Sequence, residues 1–172
     1  MTRFRKKDNS IVGLKLSKSD IEQKFKLNLK DEPYYISDKM IFLGQIPRLT
    51  DFEAKTTPFS DELDQPDFVI DDSAVVVIKN KELIVISGGS HSGICKIIEY
   101  ARKVTVIKFV RTVIGGFHLK HNNLQAKYTI NFLKKNGIKK IYPSHCTELP
   151  SLAAFHEDFN TEQLKTGMIL NF

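Results

Sequence analysis

Three times between residues 83 and 147 the sequence runs the same way: a β-branched stretch, then a loop rich in Gly, Ser or Pro that carries a histidine. Residues 83–86 lead into Ser87-Gly-Gly-Ser-His-Ser-Gly93. Residues 104–114 lead into Gly115-Gly-Phe-His-Leu119, and residues 139–142 into Pro143-Ser-His-Cys-Thr147. Helical patterns follow at 94–102, 124–135 and 150–155, the second stopped by Asn136-Gly137. Strand, loop and helix in alternation imply an α/β layer. In such layers the loops at the carboxyl ends of strands converge on one edge, where sites form. His91, His118 and His145 thus occupy one kind of position, and three imidazoles on three loops suit a zinc- or iron-type ion. The bland alternative, a polar loop residue, holds for any one of them singly. His121 decorates a helix entry, and His156 reads as solvated.

The remainder is less regular. Residues 17–25 read as a short amphipathic helix with Ile21 and Phe25 on one face. Residues 34–36 and 40–43 read as strands, as do 68–70, 74–78 and 168–172, with a hairpin connection at 79–82. Residues 44–66 are punctuated by Gly44, Pro47, Pro58 and Pro66 and read as a loop that covers a site. The expected organisation is one domain, with an N-terminal helical segment over 1–32 and a sheet-and-helix core over 33–172.

Composition narrows the function classes. A net charge of +6 over 172 residues favours anionic partners. The lysines are scattered, which favours solvated faces over a nucleic-acid groove, and a phosphorylated small molecule suits the same charge. No apolar stretch approaches the roughly 18 residues of a membrane span, and the basic N-terminus has no apolar core behind it. Two cysteines, Cys95 and Cys146, read as reduced thiols of a cytoplasmic protein.

Four stretches resemble the metal-dependent hydrolases of the metallo-β-lactamase superfamily, in the group that includes dihydropteridine-ribofuranosylaminobenzene 5'-phosphate synthase. They are Phe42-Leu-Gly-Gln-Ile-Pro-Arg48 with Thr50-Asp-Phe-Glu53; Asp71-Asp72; Ser87-Gly-Gly-Ser-His-Ser-Gly-Ile94; and Val113-Ile-Gly-Gly-Phe-His-Leu119 paired with Ile141-Tyr-Pro-Ser-His-Cys-Thr147. The resemblance implies part of an αββα sandwich, a mixed sheet flanked by helices. It implies His91 and His145 as metal ligands, His118 as a ligand or substrate contact, and Arg48 and Asp72 near the substrate. It further implies one or two zinc or other divalent transition-metal ions, and hydrolysis of a phosphoester or related bond.

The departures matter as much. The superfamily hallmark His-x-His-x-Asp-His comes before the region matched here, and this sequence has no histidine before His91. Gly89 stands where the group carries Cys, and Ser73 where it carries Gln. The chain therefore reads as a C-terminal part of such a protein, with an incomplete site: a truncated product, half of a split protein or a fragment. The sheet face left open would lead to a homo-oligomer or a companion chain bearing the other ligands. The rival expectations are a non-catalytic ligand-binding remnant and a pterin-linked transferase. A nucleic-acid phosphodiesterase component is the least favoured.

Overall fold

The computed structural model describes residues 2–172. Its centre is a six-stranded mixed sheet in the order β3-β4-β6-β7-β8-β9. β3 (Tyr34–Ser37), β4 (Met40–Phe42), β6 (Ala74–Lys79) and β7 (Glu82–Ser87) pair antiparallel, whereas β7, β8 (Val110–Gly115) and β9 (Lys140–Pro143) run parallel. The β6–β7 turn is Asn80-Lys81, both with positive φ, as a two-residue hairpin requires.

Register assigns the two faces. Ile41, Val76, Val85, Val113 and Ile141 lie abreast across five strands and are almost completely buried. α2 (Ile94–Thr105), α3 (Leu124–Lys135) and α4 (Leu149–Phe159) supply the rest of this core. α2 buries Ile94, Ile97, Ile98 and Ala101, one stripe at helical spacing. Each aliphatic side chain so buried stabilises the fold by about 1.5–3 kcal/mol. The other face is mixed: Ile84, Thr112 and Ile114 are buried, Phe42, Val75, Val77 and Tyr142 part-buried, and Met40 and Ile86 exposed.

Residues ahead of the sheet are arranged differently. β1 (Arg3–Arg5), β2 (Ile11–Val12) and β5 (Phe59–Ser60) form a small antiparallel sheet in the order β2-β1-β5. The helix expected over 17–25 forms only as α1 (Lys18–Glu22), started by a capping box between Ser17 and Asp20. Its expected apolar face does not pack: Phe25 is exposed and Ile21 half-buried.

Three expected strands are revised. Residues 68–70 turn instead, with Val69 at φ 53°, because the Asp67 carboxylate takes the Val69 amide and the Asp72 amide returns to the Val69 carbonyl. Residues 104–105 prolong α2, with Thr105 Oγ1 donating to the Ala101 carbonyl and Val106 closing the helix in a left-handed cap. Residues 168–172 pair with no strand, although Phe172 reaches the Tyr142 ring at 6.4 Å. No helix among the described residues is long and apolar enough to cross a membrane.

Candidate functional site

Because β7, β8 and β9 are parallel, the loops leaving their carboxyl ends lie side by side along one rim. These loops are cross-bonded. Ser90 Oγ donates to the Gly116 carbonyl at 2.6 Å, the Ser144 amide to the Gly115 carbonyl at 2.9 Å, and the Phe117 amide to Thr147 Oγ1 at 3.1 Å. Gly116 sits where they meet. A Cβ there would collide with Cys146 Sγ and lie 2.9 Å from the Gly88 carbonyl and 3.2 Å from His145 Cε1.

Two of the three expected histidines come together. The His91 and His118 rings are 4.3 Å apart at 49°, and Phe59 of β5 packs edge-on against His91 at 5.6 Å. Burial pushes the His91 imidazole below its ordinary range. It takes His118, which also faces the charges of His91 and Lys120, down to about 4. Both rings are therefore neutral at pH 7, the form in which imidazole ligates a metal. His145 is near enough for its charge to act on His118 but is not part of this contact. It is exposed, with Nδ1 3.1 Å from Ser144 Oγ, and it does not line the cavity that His91 and His118 share.

Arg48 and Asp72 both hold the His91 loop. Asp72 is buried, and its Oδ2 accepts from the Ser92 amide at 2.8 Å and the Ser92 hydroxyl at 2.5 Å. Arg48 donates to the carbonyls of Phe68 at 2.6 Å, Val69 at 3.3 Å and His91 at 3.3 Å. Asp71 is exposed and paired with Arg3 at 2.6 Å.

Of residues 44–66, only 54–58 line the cavity, and Phe59–Ser60 form a strand instead of loop. Phe52 packs on Tyr128 of α3, and Glu53 turns inward to the start of α2. Residues 54–58 then line a cavity of about 390 Å³ together with His91 and His118. Glu53 is a residue that reading the sequence passed over. Its Oε1 and Oε2 accept from the Cys95 and Lys96 amides, each at 3.0 Å, and its own carbonyl receives Lys96 Nζ at 2.9 Å. It thereby caps a helix whose own N-cap residue, Gly93, has no side chain to offer. Gly93 is obligatory, since φ is 109° and a Cβ would strike the Glu53 carboxyl. Burial raises the Glu53 carboxyl, the two amides acting in the opposite direction. The legible signal was an uncapped Gly-Ile helix start.

Whether these residues fit a metal divides into two parts. The donor chemistry fits: two neutral imidazoles in contact, with a third on the adjoining loop. The number does not, because among the described residues no three His, Cys, Asp or Glu side chains are grouped to hold an ion. The described residues thus bring two imidazoles together and group no third donor with them.

No protein-family model matches the chain. The 7,8-dihydropterin-6-methyl-4-(beta-D-ribofuranosyl)-aminobenzene-5'-phosphate synthase of Methanocaldococcus jannaschii is 35% identical, over 84% of this chain and 52% of the relative. An uncharacterized protein of the same organism is 30% identical, over 95% of this chain and 59% of that relative. The crystal structure of Tm1679, a metal-dependent hydrolase of the beta-lactamase superfamily, superposes with a TM-score of 0.71 at 23% identity, covering 86% of this chain and 58% of that one. The chain spans somewhat over half the length of the curated relatives it matches.

Proposed function

The chain has the fold of the metallo-β-lactamase superfamily, and from that premise we propose that it contributes part of the site of a metal-dependent hydrolase acting on a phosphoester or related bond. The observation that carries this reading is the neutral His91–His118 pair in a cavity at the carboxyl rim of three parallel strands. In it His91, His118 and His145 are the metal ligands of this chain. Arg48 and Asp72 border the substrate side through the His91 loop that they hold. A divalent transition metal such as zinc, when bound, supplies Lewis acidity toward water and toward an ester oxygen. The protein's own contribution is orientation: cross-bonded loops hold the rings in place, and residues 54–58 screen them from bulk water.

The remaining ligands lie outside the described residues, in a companion chain, a second copy or another part of a longer protein. Exposed Met40 and Ile86, on the sheet face opposite Val76 and Val85, support such a partner. The unpaired thiols Cys95 and Cys146 suit a reducing, cytoplasmic setting. The similarity to a synthase favours a second reading, transfer chemistry on a phosphorylated pterin-type substrate. The grouping of fewer than three donors favours a third, ligand binding without turnover.

Zinc titration by calorimetry tests the proposal. The expected result is weak binding by the chain alone, abolished in His91→Ala and His118→Ala and weakened in His145→Ala. Zinc affinity unchanged in the first two variants would remove the site. Tight stoichiometric binding with phosphodiester turnover would show that no partner is needed.

A further inference from the structure

Resting on the site just proposed, we infer that the cavity takes a small molecule by an anionic group, phosphate or carboxylate, held between Lys55 and Lys120. Lys55 comes from the segment 54–58 and Lys120 from the loop that carries His118, and both line the cavity. Among the described residues no Asp or Glu lines it. The carboxylates nearby are already engaged. Asp67 is bound by Arg3 at 2.8 Å and Asp71 by Arg3 at 2.6 Å, while Asp72 accepts from Ser92 and Glu53 caps α2.

Lys55 has no ion-pair partner among the described residues. Lys120 has a single long one, 3.9 Å to the half-exposed Glu148, a contact of little worth in water. The cavity is thus a positive recess whose cations are free to act on a ligand. Its volume of about 390 Å³ suits a small molecule. Two lysines at one recess do not make the charged track that a nucleic-acid backbone needs. Phe68, Pro58 and Leu119 add an apolar wall, which would seat the body of such a molecule while its charged end meets the lysines.

The test uses the 172-residue chain treated with EDTA, so that binding is read without metal, and phenyl phosphate as probe. Benzoate and phenol serve as the carboxylate and uncharged counterparts. In amide-resolved NMR titration, phenyl phosphate or benzoate shifts the amides of residues 54–57 and 118–121, and phenol does not. Lys55→Ala with Lys120→Ala weakens binding about tenfold, whereas Lys139→Ala with Lys140→Ala changes it less than about twofold. Equal affinity in both double variants, shifts mapping elsewhere, or no binding at millimolar probe overturns the inference. The lysine double variant separates it from the metal reading, because Lys55→Ala with Lys120→Ala loses the probe and keeps zinc. Zinc binding without probe binding would leave the metal site standing and remove the anion site, and the reverse result would do the opposite.

Discussion

Residues 74–159 and residues 2–32 obey different rules within one chain. In the first region, apolar side chains fall in register: Val76, Val85, Val113 and Ile141 share one face, and α2 to α4 cover it. In the second, Ile11, Leu14, Phe25 and Leu29 are all well over half exposed. What fixes that segment is polar: Arg3 on Asp67 and Asp71, the Ser17–Asp20 box, and short pairing to β5. Stability and site geometry therefore reside in the first region. The second contributes at the cavity mainly by holding β5, and with it Phe59, against His91.

The largest effects that would sharpen this contrast come from close backbone approach in the core. Gly116→Ala should lower stability by about 3 kcal/mol, because the loops around it have no slack and overpacking is not relieved by rotamer change. Urea denaturation measures this, and a loss below about 0.5 kcal/mol would show the rim to be loose. Glu53→Ala comes next, at about 2 kcal/mol, since it leaves buried amides of α2 without acceptors. Glu53→Gln should recover part of that loss, and an equal loss in both variants would mean that charge, not capping, matters.

A pH effect follows from His118. Its folded value, about 4, lies below the ordinary 6.5, so the unfolded chain takes up a proton in that window while the folded chain does not. Stability due to this group is constant above pH 6.5 and declines as pH falls toward about 4. The urea midpoint of His118→Gln should decline less over the same range, and parallel curves would refute the assignment. The smallest effect belongs to the N-terminal region: Phe25→Ala should change stability by less than about 0.5 kcal/mol. A loss of 2 kcal/mol there would break the comparison outright.

The alternation of strand, histidine-bearing loop and helix was legible because period and turn chemistry are local. β6, β7, α3 and β9 fall within a residue or two of the pattern, and the three histidines do follow three strands. The irregular stretch at 44–58 was also readable from its proline and glycine punctuation, and its last five residues line the cavity. The stretch 104–109 was not. Val104, Thr105 and Val106 have β propensity, yet packing of α2 on the sheet carries the helix through the first two. Residues 68–70 were misread for the related reason that a side chain 64 positions away, Arg3, holds the Asp67 that turns them.

The sequence by itself determined which residues can carry chemistry and that they sit at strand ends, since both follow from residue type and neighbours a few positions apart. Only tertiary structure decided that His91 and His118 touch while His145 lies exposed outside their cavity, that Glu53 caps a helix 41 residues on, and that Lys55 and Lys120 share a cavity. Those relations depend on where distant segments cross, and a crossing is set by the packing of whole faces, which no local pattern encodes.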